Sequence, residues 1–200
     1  SSTQLRMLGH IAREFDRPTP ELLAEAQATQ DKLQAAQPGL TLSAPPLTYG
    51  YGHFTTRTNV QFNWIPITRA ADVMDLLASV SMHGIQTSGN DIRNITCDAW
   101  EGIAADGIVD TRPFAEITRQ WSSLHPEFSY LPRKFKTTVV IPPHNDVDLH
   151  ANDLNFVAIE EHGRLAGFNV LVGGGLSMEH GNHATYPNTA REFGFIGLDK

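Results

Sequence analysis

The sequence predicts an α+β fold, and three observations carry that expectation. Over residues 1–86 the apolar spacing runs helix, strand, strand, helix. Residues 87–200 hold several short β-branched and aromatic segments, two of them joined across a glycine-containing turn. The composition is that of a globular chain: 200 residues, 40% apolar and 18% charged, enough to bury a core and too apolar for disorder. A net charge of −7 argues against a general nucleic-acid role, so any anion site must be local. No apolar run approaches membrane-spanning length and no signal-peptide pattern opens the chain. The single cysteine, Cys97, excludes a disulfide framework and a zinc cluster made by this chain alone, and it fits a reducing, cytoplasmic compartment.

The elements follow in order. Ser1 reads as an N-cap, with Leu5, Leu8, Ile11 and Ala12 at helical spacing over 3–15. An opening inside a helix cap predicts a fragment. Pro18 and Pro20 stop this helix. Residues 20–37 are strong helix formers with only a thin apolar stripe (Leu22, Leu23, Ala26, Leu33), so 18–48 is expected to be an exposed helical insertion. His53-Phe-Thr-Thr-Arg57 and Val60-Gln-Phe-Asn-Trp64 alternate like strands, with a tight turn at Thr58-Asn59. The helix expected over 69–83 carries Val73, Met74, Leu76, Leu77 and Val80 and ends at Gly84. This order is most of a ferredoxin-like unit without its first strand.

A Gly/Asn-rich loop over 86–97 leads through Arg93 into a short strand. A helix over 112–124 has Pro113 in its first turn and Phe114, Ile117 and Trp121 on one side. Strands over 154–160 and 165–172 flank Glu161-His-Gly163-Arg, a hairpin turn. Gly173-Gly-Gly175 closes the second, where bare backbone N–H groups can hold an anion. The tail from Ser177 gives no clear pattern.

Tyr130-Leu-Pro-Arg-Lys-Phe-Lys-Thr-Thr-Val-Val-Ile141 carries the chemistry. Strand alternation puts Lys134 and Lys136 on one face and Arg133 and Phe135 on the other. Val139-Val140-Ile141 is apolar on both faces, as in a strand entering a core. Two ammonium groups on one face of a cavity need an anion between them. For an isolated Lys-x-Lys, a solvated strand end is the commoner outcome. Other chemistries find little support. Nine histidines show no metal-ligand spacing, and His144 and His150 merely flank an acidic loop of Asp146, Asp148 and Asp153. Cys97 has no base nearby in sequence. No Gly-x-Ser-x-Gly elbow and no Walker loop occur. The residues alone thus predict an α/β or α+β domain with a small-anion or polycarboxylate site built from Arg57, Arg93, Arg133, Lys134 and Lys136.

Four motifs then occur in one order: Phe54-Thr-Thr-Arg57-Thr-Asn-Val-Gln61-Phe, Ser88-Gly-Asn-Asp-Ile-Arg93-Asn, Tyr130-Leu-Pro-Arg-Lys134-Phe-Lys136 and Leu171-Val-Gly-Gly-Gly-Leu176. Together they resemble the sirohaem/4Fe–4S sulfite and nitrite reductase family, nearest its assimilatory sulfite-reducing haemoprotein branch, over nearly all of the chain except 18–48. The resemblance implies ferredoxin-like half-domains with mixed α/β modules. It divides this chain into a half-domain over 1–86 and the first part of a sirohaem-binding domain over 87–200. The implied reaction is the six-electron reduction of sulfite to sulfide in sulfate assimilation and cysteine biosynthesis. The resemblance places Arg93, Lys134 and Lys136 in a catalytic ring around the substrate. It puts Arg57 in that ring and against the sirohaem carboxylates. Thr55, Gln61, Arg133, Gly174 and Gly175 are the further cofactor-binding positions it implies. His53 falls at a position open to another basic residue in relatives.

These residue types suit that reaction. A doubly charged oxyanion in a cavity needs cations beside it. Each S–O cleavage consumes protons, which a lysine can donate, while an arginine stays charged as a clamp. Lysine at 136 resembles the sulfite branch; nitrite reductases more often have a neutral residue there. The resemblance also implies a flavoprotein subunit or a ferredoxin as electron donor. The departures are the absence of the family's four cluster cysteines, which Cys97 does not match, the lack of an arginine on the first strand, the insertion, and Thr58 in place of a common Gln. They predict a chain that needs a C-terminal half to hold the cluster and does not turn over alone. The alternatives are a nitrite reductase, a free-standing anion or tetrapyrrole binder, a truncated non-catalytic product and, last, a precorrin-modifying relative.

Overall fold

The computed structural model describes residues 1–39, 45–142 and 147–198. It divides into two compact units, Ser1–Gly84 and Ile85–Lys200.

In the first unit α1 (Ser2–Phe15) is closed by a capping box, in which the Ser1 side chain accepts from the Gln4 amide. Its Ile11, Ala12 and Phe15 are buried. With Val73 of α3 (Ala70–Ser79), Ile11 and Phe15 form a small core, against which Met7, Phe62, Ile65, Leu76 and Leu77 pack. The helix expected over 69–83 is shorter than its apolar pattern. Ser81 takes φ 58°, and the Met82 amide closes back on the Leu77 carbonyl at 2.9 Å, a left-handed termination three residues before Gly84. A 3-10 turn, Ile67–Arg69, precedes it. Helix α2 (Pro20–Ala36) is capped by Thr19 and buries no residue, as a stretch with so thin an apolar stripe should.

The two expected strands are reduced to β1 (His53–Phe54) and β2 (Val60–Gln61), an antiparallel pair. The turn at Thr58 is present, with φ 58°. Pairing stops early because the polar loop bonds to itself. The Thr55 hydroxyl accepts from the Arg57 and Asn59 amides at 3.3 and 3.2 Å. Asp16, fully buried, replaces the missing ladder. Its carboxylate accepts four backbone N–H groups: Gly50 and Tyr51 at 2.8 and 3.3 Å, Asn63 and Trp64 at 2.9 and 2.7 Å.

The second unit is a five-stranded mixed sheet in the order β3-β4-β5-β6-β7. Strands β3 (Thr96–Cys97), β4 (Thr137–Val140) and β5 (Leu154–Glu161) are parallel neighbours; β6 (Arg164–Val172) and β7 (Arg191–Gly197) continue antiparallel. β4 is buried along its whole length, matching a strand apolar on both sides. Between β5 and β6, His162 and Gly163 both take positive φ, 54° and 76°, the hairpin geometry that follows the sheet's twist. One face packs Val139, Ala158 and Phe168 with Ala115 of α4 (Arg112–Ser122). Phe114 meets Phe168 edge-on at 5.1 Å. The expected side of α4 is only partly its packing side: Phe114 joins the core, whereas Ile117 and Trp121 are 67% and 61% exposed. On the opposite face Asn155, wholly buried, accepts from the Thr138 hydroxyl at 2.6 Å and donates to the Asn152 carbonyl at 3.0 Å.

β7 lies where the sequence shows no clear pattern. Its glycines, Gly194 and Gly197, lower strand propensity, and its side chains are almost all exposed, so no core face marks it. Among the described residues no helix is long and apolar enough to cross a membrane.

Candidate functional site

The basic stretch is two structures in succession. Regular pairing begins only at Thr137. Before it, Pro132 and Arg133 form a bend, because proline supplies no ladder donor and fixes its own φ. The segment is held instead by the loop that carries the Ser88–Asn94 motif. Leu131 donates to Asn90 O at 2.9 Å, Phe135 to Asp91 O at 3.0 Å, and Arg93 to Phe135 O at 2.8 Å. An isolated parallel bridge joins Ile92 and Phe135.

The bend changes which side chains share a face. Arg133, Lys134 and Lys136 all line one cavity of about 330 Å³, with Ala151, Asp153, Gly174, Gly175, Leu176 and Ser177. The alternation that pairs Lys134 with Lys136 holds; the separation of Arg133 from them does not. Arg133 reaches the Ser177 hydroxyl at 2.9 Å, a bond between the basic segment and the segment after β6. Arg133 and Lys134 are exposed and Lys136 half-buried, so within this unit the cavity is an open cleft.

The far wall is the glycine corner. Gly173 and Gly174 have φ 143° and 77°. A side chain at 174 would lie 2.3 Å from the Asn152 carbonyl oxygen, and one at 173 would lie 2.8 Å from the Thr189 oxygen. Bare backbone is therefore demanded here by the protein's own chain. At Gly175 a Cβ meets nothing within 4 Å, and that position opens on the cleft.

Two polar residues that line this cleft escaped the sequence reading. Ser177 is one. The other, Asp153, appears there only as part of an acidic loop. It accepts the Lys136 amide at 2.7 Å through Oδ2. Its position one residue before β5, opposite the start of β4, was legible only with the sheet register known.

Arg93 contributes its backbone to the basic segment but turns its guanidinium onto the Gln86 and Thr87 carbonyls, and it does not line the cleft. In the first unit Arg57 is buried (9% exposed), Thr55 is half-buried and engaged in the turn, and Gln61 and His53 are exposed on β2 and β1. His144 and Asp146 lie outside the described residues, as does part of the expected 18–48 insertion.

A second hollow, of about 190 Å³, is lined by Asp98, Trp100, Glu101, Asp110 and Ile141 among others. Its buried carboxylates are engaged: Glu101 accepts the Thr111 amide at 2.7 Å and Asp98 the Trp100 amide at 2.9 Å. Nearby, burial pushes the Cys97 thiol up to about 11, with Glu101 and Asp110 adding to the rise. A thiol so disposed is a poor metal ligand. Among the described residues no group of three or more His, Cys, Asp or Glu side chains is placed to hold a metal.

Comparison with known proteins agrees with the motifs. Residues 88–199 match the family described as "Nitrite and sulphite reductase 4Fe-4S domain", more than half of the chain. The chain belongs to this family. The sulfite reductase (NADPH) hemoprotein beta-component of Aliivibrio fischeri is 44% identical over 174 residues, 76% of this chain and 30% of that protein. The protein of the same name from Vibrio cholerae is 45% identical over 173 residues, with the same coverage. The chain thus spans about 30% of the length of these relatives. The NirA protein of Mycobacterium tuberculosis superposes with a TM-score of 0.71 at 24% identity, over 100% of this chain and 29% of its own, which shows the shared fold.

Proposed function

We propose that this chain supplies the cationic wall of a sulfite-reducing centre, as part of a sulfite reductase haemoprotein. The observation that carries the reading is the convergence of Arg133, Lys134 and Lys136 on one cleft in a chain of net charge −7. Three cations facing one hollow against the overall charge suit an oxyanion, or the acid side chains of a carboxylate-rich cofactor.

The residues present fit sirohaem in part. Arg133, with the Gly174–Gly175 backbone, would take its carboxylates; the cofactor, when bound, supplies the iron and the electrons. For the first unit, Arg57, Thr55 and Gln61 keep, on the resemblance alone, the cofactor-binding role stated above. Arg93 keeps its place in the substrate ring on the same basis. The 4Fe–4S cluster has no fit among the described residues: its ligands come from outside them, so the chain is expected not to turn over alone.

Lys134 and Lys136 bind and orient the oxyanion and hold protons at Nζ, next to the oxygens that must leave as water. Arginine keeps its charge throughout and stabilises negative charge. Two ammonium groups favour a dianion over a monoanion. Lys136 therefore supports sulfite over nitrite, and nitrite remains the second reading. The division into a half-domain over 1–86 and a sirohaem-domain portion over 87–200, the flavoprotein or ferredoxin donor, and a cytoplasmic setting are parts of the same proposal.

The test is a titration of the 200-residue chain with sulfite and with nitrite at low salt, following the Lys134 and Lys136 resonances. Sulfite binds more tightly than nitrite, the Lys134→Met/Lys136→Met pair weakens it at least about tenfold, and Lys136→Asn narrows the preference. Absence of sulfite binding, or binding untouched by the double change, sinks the reading.

A further inference from the structure

Among the described residues the cleft is lined by one carboxylate beside its cations, that of Asp153. Asp153 grips Lys136 at both backbone poles. Its Oδ2 accepts the Lys136 amide at 2.7 Å, and its own amide donates to the Lys136 carbonyl at 3.0 Å. The adjacent Leu154 amide reaches the same carbonyl at 3.1 Å. The Asp153 carbonyl then accepts the Gly173 amide at 3.0 Å. One residue therefore ties the basic segment to the glycine corner, which form opposite walls of the cleft.

Fixing both poles of a residue fixes its φ and ψ, and with them the direction of its Cα–Cβ bond. Lys136 needs this help because it sits just before regular pairing begins at Thr137. A four-carbon side chain magnifies any backbone uncertainty at its ammonium group. A backbone carbonyl would do the same holding without charge, yet here the acceptor is a carboxylate that itself lines the cleft. It offsets one of the three positive charges when no anion is present and disfavours an anion by the same Coulomb argument.

We propose that Asp153 is the positioning residue for Lys136 and the charge-setting residue of the cleft; the inference rests on the anion-site reading above. Two substitutions separate its roles. Asp153→Asn removes the charge and keeps an acceptor oxygen for the Lys136 amide. Asp153→Ala removes both. The two variants carry the same net charge, so any difference between them reports the clamp.

In the 200-residue chain, Asp153→Asn is expected to bind sulfite several-fold more tightly than the parent at low salt, with the gain fading as salt rises. Asp153→Ala is expected to bind about tenfold more weakly than Asp153→Asn, and its Lys136 amide to exchange with solvent at least about tenfold faster. If Asp153→Ala does not fold, Asp153→Leu replaces it, filling similar volume without an acceptor. Equal sulfite affinity in the two uncharged variants overturns the positioning role. An Asp153→Asn affinity no greater than the parent's overturns the charge-setting role. A parent chain that binds no sulfite overturns the anion-site reading instead, and the Lys136 exchange rate then decides the clamp by itself: unchanged exchange in Asp153→Ala overturns it.

Discussion

Asp16 and Asp153 both organise backbone by accepting N–H groups, and the contrast between them separates scaffold from site. Asp16 is fully buried and accepts four donors from two segments of the first unit. Asp153 is half-buried, accepts one, and faces three cations across a cleft. A carboxylate with four donors has its lone pairs filled by the protein. A carboxylate with one leaves a charge directed at whatever occupies the cleft. Counting donors, rather than noting burial alone, tells the two apart.

The largest expected effect breaks the first of the pair. Asp16→Ala leaves the Tyr51, Asn63 and Trp64 amides without this acceptor and is expected to cost about 3 kcal/mol or more of unfolding free energy. Asp16→Asn should cost nearly as much, because its amide NH₂ must face two N–H donors. The same change at Asp153 should leave the melting temperature almost unmoved. Paired thermal unfolding of Asp16→Asn and Asp153→Asn checks this, and similar losses at both positions would end the distinction.

A smaller effect is expected at the glycine corner. Gly174→Ala places a methyl 2.3 Å from the Asn152 oxygen at φ 77°, and the backbone must shift at a cost of roughly 1–3 kcal/mol. Gly175→Ala meets nothing within 4 Å, so its stability should stay within about 0.5 kcal/mol. If both positions respond alike, the corner is not held by Asn152.

Most of the second unit was legible because its signals are local. β5, its two-residue turn and β6 follow from alternation and a glycine, and β4 from an apolar run. β7 was invisible because it buries almost nothing. In the site, Lys134 and Lys136 stood out through spacing. Strand alternation puts Arg133 on the opposite face from the lysines, and fails there because the chain bends at Pro132 and Arg133 and β4 begins only at Thr137. Asp153 and Asp16 act at sequence distances of 17 and up to 48 residues, and no local pattern encodes such pairings.

Cys97 tests the donor argument outside both carboxylates. It is only half-buried, yet its surroundings offer one hydroxyl, that of Thr111, against the carboxylates of Glu101 and Asp110. Loss of water is the first cause of the rise to about 11; the Thr111 hydroxyl and the Arg112 charge oppose it and lose. The folded value lies above the ordinary 9.0, so folding favours the neutral thiol. The stability this contributes is fully present below about pH 9 and is lost as pH rises from there towards 11. At pH 8 the folded thiol should alkylate far more slowly than the same thiol in denaturant, roughly 100-fold from thiolate fraction alone. Equal rates would mean that the carboxylates beside Cys97 and its loss of water do not outweigh Thr111 and Arg112, and that the few donors around a group do not set its charge here.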